Sequence, residues 1–208
     1  MTRLTLNGVA KRFGRRILFR KLSVGVDGGQ ALAITGSNGS GKSTLLKIIA
    51  GVMTPTKGEV SLQLKGKDIT PEDRPLQMGF VSPYLNVYDG FTARENLAFI
   101  AKVRRLANAQ GLIDELITSV SLKGRENDLV KTYSSGMKQR VKFAAAMLTS
   151  PAVLILDEPT TNLDVAGIKM VKELMQRQKD RDGIIILASN DAEEVTWCDT
   201  SIDVEDHR

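Results

Sequence analysis

The sequence predicts an α/β fold built on a mostly parallel sheet, with an inserted lobe of helices. Three observations lead to this prediction. Short apolar segments with the length of buried strands alternate with helical patterns along most of the chain. One strand and helix pair is joined by a glycine-rich loop at 36–44. Between Pro83 and Leu148 the pattern changes to helices alone, so a helical segment interrupts the alternation.

The segment before residue 83 is predicted as strands around one helix. The helix Ser43–Ala50 carries apolar residues at helical spacing and is followed by Gly51, a residue that commonly ends helices. The predicted strands lie on both sides of this helix: Leu4–Val9, Ile17–Val26, Ala31–Thr35, Val60–Leu64 and Gly79–Ser82.

Three helices are predicted in the next segment. Thr92 and Glu95 have the spacing of a capping box before the first of them. The second covers 110–120, and the third begins near Ser134. Because no clear strand lies between them, we assign 83–148 to an inserted helical lobe.

The alternating pattern then returns. Strands are predicted at Val153–Leu156 and Ile184–Ala188, with a helix over 165–178 between them. We therefore predict a single domain over 1–208, in which 1–82 and 149–208 form the core and 83–148 forms the helical lobe.

Composition excludes several classes of site. Cys198 and His207 are the only cysteine and histidine, which excludes an internal disulfide, a multi-thiolate metal centre and an internal histidine triad. The apolar stretches are far shorter than the ~20 residues of a membrane helix, and the start MTRLTLNG lacks a signal-peptide pattern, so we expect a cytoplasmic protein. The net charge is +5, and without a long basic arm no nucleic-acid partner is expected.

The glycine-rich loop predicts a nucleotide site of the P-loop NTPase type. GSNGSGKST matches GxxxxGK[ST] and lies between a strand and a helix, as this motif requires. Glycines let consecutive N–H groups point at one phosphate, and the helix N-terminus adds partial positive charge. We expect Lys42 to neutralise the β- and γ-phosphates of ATP, Ser43 to ligate Mg²⁺ and Thr44 to support the α-phosphate. The candidate nucleotide-binding residues are Gly36, Ser37, Asn38, Gly39, Ser40, Gly41, Lys42, Ser43 and Thr44.

Two acidic residues follow the apolar strand that begins at Val153. Ligands of open α/β sheets bind at the carboxyl ends of the strands, where these acids lie. We expect Asp157 to hold the Mg²⁺ shell and Glu158 to accept a proton from the attacking water. Acids in this position also cap helices, but the phosphate loop earlier in the chain favours the functional interpretation.

A third motif opens the last helix of the lobe. Tyr133–Arg140 reads YSSGMKQR, a serine-rich helix start followed by glycine. Free N–H groups, hydroxyls and a helix dipole make such a start a site for anions, although a simple helix cap has the same appearance.

Together the three motifs resemble the ATP-binding subunits of ABC transporters. The family's LSGGQ signature matches YSSGMKQR, with Ser134 and Gly136 retained, and the resemblance covers the whole chain. It implies the ABC ATPase fold, with an antiparallel β subdomain, and it makes Glu158 the catalytic glutamate and Thr161–Asp164 the D-loop. It also implies that Phe13 stacks on adenine, although a core or turn role for that residue stays open.

The resemblance also implies partners. Two subunits, either identical or similar, would dimerise head to tail around two MgATP, with Ser134 and Gly136 of one closing over the γ-phosphate held by Lys42 of the other. The dimer would drive a separate integral membrane permease from the inner face of the cell membrane. A non-transport ABC ATPase, acting as a regulator or assembly factor, is the alternative.

Two positions depart from the family pattern. Pro83 stands where the family has a glutamine that contacts Mg²⁺ and water, and Asn190 stands where it has a histidine. Asparagine can donate a hydrogen bond to the γ-phosphate but cannot carry a proton. We therefore list Asn190 with Glu158 and Lys42 as catalytic candidates and expect slow hydrolysis. An ATP-gated clamp with negligible turnover is the other interpretation.

Aromatic residues concentrate just after the fifth predicted strand. Phe80, Tyr84, Tyr88 and Phe91 fall close together, with apolar residues between them. In the resembled family this segment borders the groove that receives the permease, and an apolar patch edged by tyrosine suits an interface. The competing interpretation is that these residues pack the helical lobe onto the core.

Overall fold

A computed structural model describes all 208 residues of the chain. It contains nine β-strands and six α-helices, with short 3₁₀ turns at 74–77, 130–132 and 204–207. In chain order the strands and helices are β1 (Thr2–Phe13), β2 (Arg16–Asp27), β3 (Ala31–Thr35), α1 (Lys42–Ile49), β4 (Lys57–Leu64), β5 (Lys67–Ile69), β6 (Met78–Val81), α2 (Ala93–Val103), α3 (Gln110–Ser119), α4 (Ser135–Met147), β7 (Val153–Asp157), α5 (Val165–Asp180), β8 (Ile184–Ala188), α6 (Ala192–Val195) and β9 (Thr200–Asp203).

The N-terminal strands form an antiparallel sheet in the order β2-β1-β4-β5. Along β1, Leu4, Leu6 and Val9 are buried, whereas Arg3 and Asn7 are exposed. This period of two places one face of the sheet on the core and leaves the other in solvent. The antiparallel subdomain implied by the sequence is confirmed.

Five parallel strands form the second sheet, in the order β6-β7-β8-β3-β9. Every residue of β7 and β8 is buried, as expected for strands covered by helices on both faces. The edge strand β9 was not predicted, because it is short and consists of polar and apolar residues in a pattern typical of loops. The mostly parallel α/β fold is confirmed.

Helices α2, α3 and α4 lie within the segment assigned to the lobe. The predicted capping box is present, since Glu95 N–H donates to Thr92 Oγ1 at 3.1 Å and Thr92 N–H donates to Glu95 Oε2 at 2.8 Å. The lobe reaches the core where α4 packs on β6, and Gly79 makes this approach possible because a Cβ there would collide with the Ala146 carbonyl oxygen. None of the helices combines the length and the apolar composition needed to cross a membrane.

Candidate active site

The phosphate loop connects β3 to α1 through glycines in left-handed conformation. Gly36 has φ 131° and Gly41, which caps the N-terminus of α1, has φ 116°. Side chains disfavour these angles, so glycine is what permits the loop to turn tightly and aim its N–H groups into one cleft. The N-terminus of α1 has no side-chain cap, which leaves its first N–H groups for a ligand.

Lys42 lies in the centre of this loop and is only 6% exposed. Its ammonium donates to Gly36 O at 2.6 Å, to Ser37 O at 3.3 Å and to Asn190 Oδ1 at 2.7 Å. Lysine only donates, so the Asn190 oxygen must face it, and Asn190 Nδ2 then donates to Asn38 Oδ1 at 2.7 Å. Asn190 therefore bridges the lysine and the tip of the loop.

Two other loop residues have distinct surroundings. The Ser40 hydroxyl is buried and has no hydrogen-bond partner. Buried polar atoms are nearly always paired, so an unpaired hydroxyl in this loop fits a site that receives a polar group of a ligand. Ser37 differs, because its N–H and its hydroxyl both donate to the Glu205 carboxylate at 3.0 Å. Those hydrogen bonds hold the pKa of Glu205 below its ordinary value.

The end of β7 provides the oxygen ligands that a divalent cation requires. Asp157 is 4% exposed, and burial raises the pKa of its carboxyl, while the side chains of Ser43 and Ser82 act in the opposite direction. A carboxylate and a hydroxyl are hard ligands of the kind that Mg²⁺ binds. Ser43 and Asp157, the two residues expected to hold Mg²⁺, therefore have side chains that suit this ion chemically.

Glu158 follows Asp157 with φ 47°, a left-handed angle that is uncommon outside glycine. Its N–H donates to Ala188 O at 2.9 Å, which fixes this conformation at the edge of the sheet. Strained backbone of this kind concentrates at functional sites. The turn carries the side chain into a cleft of about 760 Å³ shared with Lys42 and Ser43.

Phe13 lies at the mouth of the same cleft. Its ring is 51% exposed, and the Lys11 ammonium lies 5.1 Å from its centroid. An exposed ring at the edge of a nucleotide cleft is free to stack on a base. The same cleft is also lined by Arg16 and Tyr84. The sequence did not suggest this position for either residue, because Tyr84 was grouped with the neighbouring aromatic residues and nothing in the local pattern distinguishes Arg16 from a surface residue.

The signature residues lie apart from this cleft. Ser134 caps α4 by accepting from the Met137 N–H at 3.2 Å, and a Cβ on Gly136 would lie 2.9 Å from Asn162 O. Neither residue lines the cleft that holds Lys42 and Glu158. One chain therefore brings together the phosphate loop, Asp157, Glu158, Asn190 and Phe13, but not Ser134 and Gly136.

Contacts nevertheless join the signature helix to the segment that follows Glu158. Gln139 Nε2 donates to Pro159 O at 3.3 Å, and Arg140 forms an ion pair with Asp164 at 3.0 Å. The pKa of Asp164 is lowered by the Gly167 N–H that it accepts as the N-cap of α5 and, to a smaller degree, by Arg140. A displacement of α4 would therefore be transmitted through these contacts to the turn that positions Glu158.

Comparison with known proteins identifies a family. The family model described as ABC transporter matches residues 19–161. The ABC transporter ATP-binding protein YdbJ of Bacillus subtilis is 34% identical over 184 residues, which cover 88% of this chain and 59% of that protein. The lantibiotic transport ATP-binding protein SrtF of Streptococcus pyogenes is 30% identical over 192 residues, covering 92% of this chain and 82% of that protein.

A solved structure supports the same assignment. An ATP-binding subunit of an ABC transporter superimposes with a TM-score of 0.85 at 27% identity, covering 96% of this chain and 85% of that chain. The chain spans about three fifths of the length of YdbJ.

Replacing Lys42 with methionine is expected to weaken ATP binding at least about tenfold, because a hydrogen bond to a charged group contributes roughly 1.5–3 kcal/mol and ~1.4 kcal/mol is a factor of ten. Isothermal titration calorimetry with ATP would measure the change. Lys47→Met, at the exposed end of the same helix, is the matched control. Equal affinities for Lys42→Met and the unaltered protein would remove Lys42 from the phosphate site.

Proposed function

The chain belongs to the ABC transporter family and is an ABC-type ATPase, and from that premise we propose that two copies enclose two MgATP and drive a separate integral membrane permease. One observation carries the proposal. The phosphate loop and Glu158 line one cleft, and the buried Asp157 meets the Ser43 side chain of that loop, whereas the signature residues Ser134 and Gly136 lie outside the cleft on the same chain. A nucleotide held by Lys42 would therefore meet a signature serine only from a second subunit.

The residues at this site have different roles in ATP hydrolysis. Lys42 and the uncapped N–H groups of α1 bind the phosphates, and the Ser43 hydroxyl with the Asp157 carboxylate holds Mg²⁺. When bound, Mg²⁺ neutralises charge on the phosphate oxygens. Glu158 accepts the proton of the attacking water, and Asn190 donates from its amide to the γ-phosphate.

The second subunit contributes through the start of α4. The Ser134 oxygen accepts from the Met137 N–H, so the hydroxyl proton of Ser134 is still available to an anion. The dipole of a helix with 13 residues adds partial positive charge at the same point. Triphosphates between two subunits repel one another unless donors face them from both sides, which is what a head-to-tail pair provides.

Glu158→Gln is expected to trap the dimer, because glutamine cannot accept the proton of the attacking water and ATP then stays between the subunits. Size-exclusion chromatography with light scattering should show a dimer in MgATP and a monomer in MgADP. Glu193→Gln removes an exposed carboxylate of α6 and is the matched control. A Glu158→Gln variant that stays monomeric in saturating MgATP would contradict the sandwich.

Slow hydrolysis is the second part of the proposal. Asn190 is engaged with Lys42 and Asn38, and although its amide can donate a hydrogen bond to the γ-phosphate, it cannot transfer a proton or carry a positive charge. Pro83 has neither a side-chain amide nor an N–H to replace the family's glutamine. Loss of one transition-state donor commonly costs about 100-fold or more in turnover.

Asn190→His is expected to raise steady-state phosphate release by roughly tenfold or more, since a protonated imidazole adds both a hydrogen bond and charge at the transition state. Asn127→His, in an exposed turn of the lobe, controls for the substitution itself. Unchanged turnover in Asn190→His would mean that asparagine is an adapted substitute and not the cause of slow hydrolysis.

The proposed contact with the permease is an apolar groove of about 420 Å³ between the core and the lobe. Leu85, Val87, Tyr88 and Ile100 line it, and Leu85 is 42% exposed. Tyr88 packs edge-on against Phe99 of α2 with centroids 5.3 Å apart, a contact within the lobe, yet more than half of its surface remains exposed and available to a partner.

Such a groove would hold the chain on the inner, cytoplasmic face of the cell membrane. Leu85→Glu is expected to abolish recovery of an integral membrane partner when the complex is purified from detergent extracts, because a carboxylate cannot be buried against an apolar helix without a large desolvation cost. Ile17→Glu, at a half-exposed position of β2, is the matched control. Recovery of a soluble scaffold in place of a permease would favour the regulator or assembly factor.

A further inference from the structure

A buried hydroxyl at the end of β6 lies outside the cleft that holds Lys42 and Glu158 but beside the buried Asp157. Ser82 is 3% exposed, and its Oγ lies 3.5 Å from Asp157 Oδ2, a long hydrogen bond. The same oxygen accepts from the Tyr84 N–H at 3.3 Å. Since a backbone N–H can only donate, that contact uses an acceptor lone pair of the hydroxyl and directs its single proton toward the Asp157 carboxylate.

A lysine of α4 holds the turn that carries this serine. The Lys142 ammonium donates to Ser82 O at 3.3 Å and to Pro83 O at 3.2 Å. None of the ion pairs in the structure includes Lys142. Burial without a carboxylate partner lowers the pKa of Lys142, so its position is maintained at a cost in desolvation. Because the Lys142 ammonium is held by these two carbonyl oxygens alone, it restricts the positions that residues 82 and 83 can adopt.

These contacts form one chain of hydrogen bonds from α4 to the metal ligand. Lys142 fixes the carbonyls of the turn, the turn fixes the Ser82 hydroxyl, and the hydroxyl meets Asp157 on Oδ2. Partners of this kind orient a metal-binding carboxylate and adjust its affinity for the ion. The side chain of the neighbouring Pro83 has no polar atom that could do the same.

We propose that Ser82 is a positioning residue for the Mg²⁺ site, acting through Asp157, and that Lys142 holds Ser82 in place. The inference rests on the proposed function, because it assumes that Asp157 binds the metal. Position 83 is a proline in this chain, so no glutamine there can help to organise the metal site. The Ser82 hydroxyl would perform part of that role. The proposal also means that α4, whose N-terminus carries the signature residues, is linked to Asp157 through Lys142 and Ser82.

Mn²⁺ provides a test that does not depend on hydrolysis, because it suits the same oxygen ligands as Mg²⁺ and its free form is counted by electron paramagnetic resonance. The full chain, saturated with a non-hydrolysable ATP analogue, is titrated with Mn²⁺. Ser82→Ala is expected to weaken Mn²⁺ binding about tenfold, the lower end of the effect of losing a partner of a metal ligand. Ser82→Thr retains the hydroxyl and should keep Mn²⁺ binding near that of the unaltered chain.

Lys142 is tested in the same titration. Lys142→Met keeps the aliphatic stem and loses the two hydrogen bonds, so Mn²⁺ binding should weaken in the same direction, whereas Lys142→Arg retains donors and should restore it. Lys169→Met removes an exposed lysine of α5 and should have no effect. Affinity for the ATP analogue in EDTA, which involves no metal, should be unchanged in every variant and reports that the fold is intact.

The outcomes separate this inference from the proposed function. Mn²⁺ binding that is unchanged in both Ser82→Ala and Lys142→Met would overturn the inference while leaving the ATPase proposal intact. A loss of Mn²⁺ binding that is matched by an equal loss of nucleotide affinity in EDTA would also overturn it, because the effect would then be on the fold. If the unaltered chain binds Mn²⁺ and nucleotide but releases no phosphate from MgATP, hydrolysis is absent and the inference about Ser82 stands.

Discussion

The common direction of the five strands in the second sheet determines where the chemistry of this protein takes place. Parallel strands all end at one edge, so the segments that follow β3, β7 and β8 meet there although they are far apart in the chain. Lys42 and Asn190 are separated by 148 positions and lie 2.7 Å apart. Without the parallel register, the phosphate loop, the two acids at the end of β7 and Asn190 would not lie next to one another.

The electrostatic state of Lys42 follows from the partners that the sheet brings to it. Its three acceptors are two backbone carbonyls and an amide, none of which carries a formal charge. Four other lysines of the chain do pair with carboxylates, as in the contact of Lys138 with Asp89 at 2.8 Å. Dipoles satisfy the hydrogen bonds of the Lys42 ammonium without neutralising it, so the loop retains a positive charge for an anionic ligand. An aspartate at position 190 would have cancelled that charge.

Much of this arrangement could be predicted from the sequence, because the informative signals were local. The bounds of β3 and β8 agree with the predicted ones, and the capping box at Thr92 needs only four residues to be recognised. Three of the four shortest elements, β5, β9 and α6, were missed, since three or four residues are too few to show a period. The fourth, β6, was predicted although it also has only four residues.

The contacts around Asp157 could not be predicted in the same way, because they are not local in the sequence. Lys142 lies between Val141 and Phe143 in a helix, where a lysine normally points to solvent, and nothing nearby in the chain indicates the carbonyls of Ser82 and Pro83. Such contacts arise only when α4 packs on β6. Sequence patterns identify the residues that a motif conserves in type and spacing, but not the partners that tertiary packing brings to them.

The sheet order also explains why the two departures from the family pattern belong together. β7, which ends at Asp157 and is followed directly by Glu158, lies between β6 and β8. Pro83 follows the first of these neighbours and Asn190 follows the second, so the changes flank the catalytic strand on both sides. At each position an uncharged hydrogen-bonding group is now nearby, the Ser82 hydroxyl on one side and the Asn190 amide on the other. In the proposed mechanism, the groups on either side of Glu158 can still orient a ligand but no longer include an ionisable imidazole, which leaves proton transfer to the Glu158 carboxylate.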